Sequence, residues 1–521
     1  MTVVARDRLL LVALAGLLAV FFVQSAIGLE SESATFDEPA AIGSSYLAYR
    51  AGDLSIIRDR PPLLGLFISL PIMLSQDPPL PSTRGPGEYT ADYEFGLQLL
   101  HQPGVDSHGL LRAARYPVLL LSLLLGVGLL RWSYLLGGSG AALLAGLLFA
   151  FNPYLLAHSR IAANDMLCVV FSFLAMMALR RLLERPGLLE ALLAGMALGA
   201  ALASKLTGLF VLPVYAVVYL LELRHLRQEG SALRLAGLLL LTALIGVITL
   251  GALMAGTFDY ARYLSAFDFL YLAATPGYEF YLGGEFYAEA RWYYCLYALA
   301  IKTPVPLLLL LPASLLLVLR SGERPAALAT LLLPPALLLV ASFFDRANIG
   351  VRRVLPALPF LLVIAAQGAR LPLPGRYRGV VLGLLSVWLA VSVLWAGPHH
   401  LAYFNEVIGG SRRGHYYLDD SNLDWGQELP RLRRWLEDNP GPPPRLAYFG
   451  VAPPDAYGIE LPQMRPSEVC QPEATRYAVS LQQLLRFERA AEKQGRSCTW
   501  RGRFQPVAWI GYSMQIYDFR E

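Results

Sequence analysis

The sequence predicts a polytopic α-helical membrane protein, with about 11 transmembrane helices and a soluble α/β domain at its C-terminus. Two observations carry this. Charged residues make up 16% of the 521-residue chain and apolar residues 55%, against roughly 25% charged in an average soluble protein. The charge is also uneven. Residues 399–521 hold 15 basic and 15 acidic side chains, about 24% of that stretch, whereas residues 1–398 hold 52, about 13%. The chain therefore divides into a membrane body, 1–398, and a water-soluble domain, 399–521. A net charge of +4 is too balanced for a nucleic-acid partner. The apolar content excludes disorder, and four cysteines in this length exclude a disulfide scaffold.

A membrane span needs about 20 mostly apolar residues. Leu9–Leu29 has no charge inside it. Residues 116–130 and 141–157 form the next pair, around Arg131 and a Gly-Gly-Ser-Gly turn. Then come 162–180, 188–204, 206–222, 235–257, 303–319, 325–343, 354–369 and 379–398. That makes eleven; several are short, so ten to thirteen fit the pattern. If Arg6 and Arg8 are cytoplasmic, the even-numbered turns are cytoplasmic too. These carry Arg131; Arg180, Arg181 and Arg185; Arg224, Arg227 and Arg234; Arg320 and Arg324; Arg370, Arg376 and Arg378. The opposite short turns are poorer in Lys and Arg, which is the positive-inside pattern. The N-terminus is then cytoplasmic and the C-terminal domain extracytoplasmic, in a multi-pass plasma (inner) membrane protein. Residues 30–115, 258–302 and the tail lie together on the outer face.

The first outer loop opens Thr35-Phe36-Asp37-Glu38-Pro39 and continues to Arg58, Arg60 and Pro61-Pro62-Leu63. An acidic pair just after the first span suits a general base acting on a substrate hydroxyl. It equally suits a helix N-terminus, where acids and proline are favoured. The apolar run 63–74 is too short to span and reads as an interfacial helix. Asp165, at the outer end of the fourth span, is either a cap or a functional ionisable group. Lys205, Lys302, Arg352 and Arg353 sit at the same level. Each alone fits snorkelling to headgroups; together they suit a phosphate. The Tyr- and Phe-rich stretch 276–287 and the following RWYYCLY fit an aromatic belt or a sugar-stacking face. In the tail, Arg445–Gly450, Tyr477–Ser480 and Val507–Ile516 read as strands and Leu429–Leu436 as a helix. Cys470 and Cys498, both outside, could pair. No Gly-rich phosphate loop, HExxH or Cys/His metal spacing occurs.

Taken in order, the motifs resemble the family 39 glycosyltransferases of the GT-C superfold, which use polyprenyl-phosphate sugars. Protein O-mannosyltransferases and the lipid A aminoarabinose transferase are relatives. The carrying residues are Phe36-Asp37-Glu38-Pro39 with Pro61-Pro62-Leu63, His158–Asp165, Ala203-Ser204-Lys205-Leu206-Thr207, and Phe280–Gly284 with Ile301-Lys302-Thr303-Pro304. They continue with Ile349–Pro356, Tyr403-Phe404-Asn405-Glu406 and Asp420-Ser421-Asn422-Leu423-Asp424-Trp425-Gly426-Gln427. The resemblance is strongest to a bacterial branch that shares this last segment, whose role the sequence leaves open. It implies an inverting transfer in which Asp37 is the catalytic base, with Glu38 beside it and Asp165 in the catalytic set.

A polyprenyl phosphate leaves readily, so the reaction needs one base and cations for the departing phosphate. Lys205, Lys302, Arg352, Arg353, Arg58 or Arg60 could supply the cations, and a divalent metal could share that task. The implied partners are a polyprenyl-phosphate sugar donor, the lipid bilayer, and a glycan, lipid or protein acceptor. The competing class is a lipid-linked sugar transporter or flippase. Transporters place ionisable groups near the midplane and show repeated halves. Here the candidate charges gather at one interface and no internal repeat is visible. A third class, a structural subunit, would be indifferent to substitution of Asp37.

Overall fold

The computed structural model describes residues 3–57, 60–81, 90–226, 232–272 and 278–520. Arg58, Arg227, Pro276 and Gly277 lie outside the described residues.

The described chain is mostly helical, and each predicted apolar stretch lies largely in helix or 3-10 turns. The first helix is Val3–Glu30. The pair around the Gly-rich turn is one 44-residue element, Ser107–Ala150, broken at Gly138, where φ is 70°. Its arms fold back on each other. A Cβ on Gly126 would lie 2.8 Å from the Phe149 ring, and one on Gly146 would lie 3.3 Å from the Leu130 side chain. Only glycine takes this backbone angle without steric cost, so Gly138 is the hinge of a helical hairpin. The second arm stops at Ala150 rather than 157. Asn152 caps a separate short helix, Pro153–His158, by accepting from the Leu155 amide.

By length and composition, seven helices among the described residues can cross a membrane, or eight if Tyr294–Lys302 and Val305–Leu319 count as one span bent by 114°. The difference from eleven has a physical source. The hairpin counts as one helix, and Leu188–Ser204 and Leu206–Glu222 fall below full spanning length. The run after Pro62 is a helix, Leu63–Ser75. It buries Leu64, Ile68 and Ile72 but exposes Leu66, Leu70 and Leu74 at helical spacing. An apolar stripe turned outward suits acyl chains. The core of the body is mainly aliphatic and holds one aromatic cluster in which Trp132, Phe173 and Phe360 pack mutually.

At the C-terminus sits a small sheet domain. With β1 (Phe280–Leu282) and β2 (Glu285–Tyr287) forming a separate hairpin, the domain holds β3 (Arg445–Ala447), β4 (Arg476–Ser480), β5 (Ala508–Ile510) and β6 (Met514–Asp518) in the order β3-β4-β6-β5. Only β3 and β4 run parallel. The stretch expected as one strand, Val507–Ile516, is a tight hairpin turning at Gly511-Tyr512-Ser513 between β5 and β6. Helices Leu429–Asp438 and Leu481–Lys493 flank the sheet, and Trp500 packs against Tyr477, Tyr517 and Phe519 beneath it.

Cys470 and Cys498 are bonded, closing a loop across 28 residues of sequence. A loop of that size corresponds to about 3–4 kcal/mol of chain-entropy stabilisation. Cys470→Ser with Cys498→Ser is expected to lower the thermal midpoint of the domain. An unchanged midpoint, read by intrinsic fluorescence, would show that the bridge contributes nothing.

The tyrosine-rich hairpin and the residues before it pack on this domain rather than forming a free aromatic face. The Gly283 amide donates to Tyr417 O at 2.8 Å. Arg486 lies over Tyr278 at 4.8 Å, and Glu279 pairs with Arg489 and Lys493 at 2.7 Å each.

Candidate active site

Asp37 stands immediately before helix Glu38–Ala51, as a helix N-terminus reading expects, but its side chain makes no cap hydrogen bond. It turns instead to the side. Arg352 donates to Oδ2 at 2.5 Å and the Tyr93 hydroxyl donates to Oδ1 at 2.7 Å. Tyr93 comes from helix Ala91–His101, which the sequence reading did not resolve. That helix can approach because both partners carry glycine at the crossing: a Cβ on Gly43 would sit 2.6 Å from Gly96 Cα. The close crossing brings Tyr93, three residues before Gly96, against the acid.

Asp165 lies in the first turn of helix Asn164–Glu184. It accepts from Lys205 Nζ at 2.7 Å and lies 3.9 Å from Arg352 Nη1. Arg352 thus stands between the two aspartates. Its guanidinium also lies 4.4 Å over the Trp425 ring. Asn164 beside it donates from one amide nitrogen to both Pro61 O, at 2.8 Å, and Ser204 O, at 2.6 Å. This fixes the Pro-Pro-Leu and Ala-Ser-Lys motifs to the same helix end.

These groups line one cavity of about 770 Å³. Its polar wall holds Asp37, Arg60, Tyr93, Asp165, Lys205, Arg352 and Arg353, and Leu206, Leu338, Ala341 and Phe344 give it an apolar side. Asp37 keeps 20% of its side chain exposed, Arg352 11%. Burial alone would raise the Asp37 carboxyl, but the charges of Arg352 and Arg60 and the hydrogen bonds of Arg352 and Tyr93 hold it below the ordinary aspartate value. Arg60 lies 3.8 Å from Asp92. Arg353 is engaged by Asp345 through two 2.6 Å hydrogen bonds.

Two of the sequence candidates are placed elsewhere. Glu38 is wholly buried and does not line the cavity. Its carboxylate accepts from Arg115 at 2.8 and 2.6 Å, from the Thr35 amide at 2.8 Å and from the Ala162 amide at 2.8 Å. It is a structural knot beside a second buried pair, Glu32–Arg160. Breaking such a pair on one side costs about 3–5 kcal/mol, because a charge is left buried alone. Arg115→Met should therefore lower the thermal midpoint of the detergent-solubilised protein steeply, and Glu38→Leu added to it should recover part of the loss. A midpoint unmoved by Arg115→Met would contradict this.

Lys302 is 4% exposed and also outside the cavity. Its ammonium donates to the carbonyls of Leu401, at 2.9 Å, Tyr403, at 3.0 Å, and Asn422. It ties the Ile-Lys-Thr-Pro motif to the Tyr-Phe-Asn-Glu motif, and Asn405 completes the tie by donating to Ala300 O and Thr303 O. His158, pushed down to about 4 by burial, stacks edge-on against Trp425 rather than reaching the cavity. Among the described residues, no group of three or more His, Cys, Asp or Glu side chains could hold a metal ion.

The chain aligns with ArnT from Cupriavidus metallidurans in the apo state, at 14% identity over 98% of both chains, with a TM-score of 0.48. It aligns with the same protein bound to undecaprenyl phosphate at 13% identity, over 99% of this chain and 98% of that one, again with a TM-score of 0.48. An Archaeoglobus fulgidus oligosaccharyltransferase aligns at 11% identity, over 73% of this chain and 55% of that one, with a TM-score of 0.45. No curated protein sequence matches. Residues 107–250, which include Asp165 and Lys205, match the family described as dolichyl-phosphate-mannose-protein mannosyltransferase. The chain resembles the family 39 glycosyltransferases of the GT-C superfold, and this segment is where the family model is matched.

Proposed function

We propose that the protein is a membrane glycosyltransferase. It takes a sugar from a polyprenyl-phosphate donor and passes it, with inversion, to an acceptor hydroxyl on the outer face of the membrane. The observation that carries this reading is the meeting of Asp37 with Arg352, Lys205 and Arg60 in one cavity that also has an apolar side. The acceptor oxygen attacks the anomeric carbon and its proton passes to Asp37. The bond from the anomeric carbon to the phosphate oxygen breaks, and the electron pair leaves with the phosphate. Arg352, Lys205 and Arg60 receive the charge that develops there.

The apolar residues belong to the outer end of helix Pro325–Ser342 and its neighbours, which suits entry of a polyprenyl chain from the bilayer. The outward orientation draws support from the arginine-rich alternate turns and from the Cys470–Cys498 bond, a feature of oxidising compartments. The tail from residue 399 is then an extracytoplasmic domain.

The test uses the purified full-length chain, radiolabelled polyprenyl-phosphate hexoses and pentoses, and membrane extract as acceptor. Label should move to an acceptor with wild type and not with Asp37→Asn. If no donor is consumed and the same preparation moves the labelled lipid across vesicles, the protein is a transporter instead.

A further inference from the structure

The geometry points to Ser421–Trp425 as a clamp that sets Arg352 against Asp37, with Trp425 as a positioning residue; this rests on the roles given to that pair above. The segment is the motif whose part the sequence leaves open, and it touches both halves of the pair. On one side it holds the extended segment that leads into Asp37. The Phe36 amide donates to Trp425 O at 2.8 Å, the Ser33 amide to Gln427 O at 3.2 Å, and the Ser33 hydroxyl to Gly426 O at 2.7 Å. On the other side it holds the loop that leads into Arg352. Asn422 Oδ1 accepts from the Val351 amide at 3.1 Å, and the Ser421 hydroxyl donates to Ile349 O at 2.6 Å. The approach is close enough that a Cβ on Gly350 would lie 2.2 Å from Ser421 Oγ.

Between the two sides lies the Trp425 ring, 2% exposed, with the Arg352 guanidinium 4.4 Å above it. A flat ring under a guanidinium fixes the plane of the fork. The ring therefore decides where the nitrogen that reaches Asp37 points. The clamp is itself anchored. Asp420 adopts φ 54°, a left-handed backbone that costs a non-glycine residue about 1 kcal/mol or more. It is held there by the Tyr278 hydroxyl, 2.8 Å from its carboxylate, and by Gln482, which accepts from its amide at 2.9 Å. Helix Leu481–Lys493 and Tyr278, just before the β1–β2 hairpin, thus brace the segment from behind. The C-terminal domain forms part of the floor on which the base and the phosphate cation are aligned.

The test compares Trp425→Phe with Trp425→Leu in the full-length protein. Phe keeps a ring face and Leu does not, while both lose volume. Transfer from radiolabelled polyprenyl-phosphate sugar should survive in Trp425→Phe. In Trp425→Leu its kcat/KM for donor should fall about tenfold, the scale of a desolvated cation–π contact, with acceptor KM unchanged. A second readout needs no turnover. Carbodiimide attacks protonated carboxyls, so labelling of Asp37, mapped by mass spectrometry at mildly acid pH, should rise in Trp425→Leu and stay low in wild type and Trp425→Phe. Ser421→Ala, a milder change, should raise labelling in the same direction. Wild-type labelling in Trp425→Leu and Ser421→Ala alike would overturn the clamp. Clamp-like labelling in a wild type that transfers no sugar would leave the clamp standing and remove the enzyme reading.

Discussion

Asp37→Asn is expected to reduce sugar transfer by at least about 10²-fold, the lower end of what a positioned base supplies, and to leave the protein folded. The side chain makes no cap bond to its helix, so the substitution removes no hydrogen bond from the helix end. What the substitution removes is the acceptor for the proton and the counter-charge of Arg352. Arg352 is then released toward the phosphate, and binding of undecaprenyl phosphate, used as probe and followed by its quenching of intrinsic fluorescence, should be no weaker than in wild type. A purely structural aspartate would behave otherwise, with transfer and lipid binding falling together as the thermal midpoint fell. Retention of transfer by a well-folded Asp37→Asn protein would remove Asp37 as the base.

The fold was legible because the bilayer imposes a length and a composition that local sequence must satisfy. Leu188–Ser204 and 325–342 are found as helices where the apolar runs placed them. Less legible were features set by one residue's backbone. Gly511 turns an apparently continuous strand into a hairpin, and an apolar run through residue 157 is cut at Asn152 by a cap. Helix Ala91–His101 carries no long apolar stripe, so its contribution of Tyr93 had no clear signal beyond the spacing of Tyr93 and Gly96.

The site was legible as a list of charged residues at one level of the membrane, but not in its internal division. Residue type and spacing do not distinguish Asp37 from its neighbour Glu38; the family resemblance implies the choice without a physical reason for it. The difference is made by Arg115, 77 residues away in sequence from Glu38, which draws that carboxylate into the interior, and by Arg352, which draws the other into the cavity. Lys205 and Lys302 likewise read alike, yet one faces an aspartate and the other is spent on three carbonyls. Tertiary partners decide which of two similar charges is free for chemistry. The segment from Asp420 to Gln427 was visible as a motif but silent as to role, because the partners that reveal it, residues 33–36 and 349–351 among them, lie far away in sequence.

Arg352→Gln should be the second severe loss, about 10²–10³-fold in transfer, the scale seen when one charge-stabilising donor is removed from a transition state. It should also change the pH dependence in a direction that follows from Asp37. With Arg352 present, the carboxyl is held below its usual value, so the ionised base is present above the ordinary aspartate range and is lost only as pH falls through that depressed value. Without Arg352, the largest opposing charge is gone and burial, which raises the carboxyl, acts less opposed. The acid limb of the pH–rate profile should therefore move to higher pH. Arg352→Lys keeps the charge but not the planar fork that lies on Trp425, and should fall between. Lys205→Met should be milder on the acid limb, because Lys205 meets Asp165 rather than Asp37. An Arg352→Gln enzyme with unchanged donor kinetics and an unmoved acid limb would refute both the phosphate role of Arg352 and its hold on the base. A loss of rate with the limb unmoved would leave Arg352 on the phosphate and assign the depression of Asp37 to Arg60 and Tyr93.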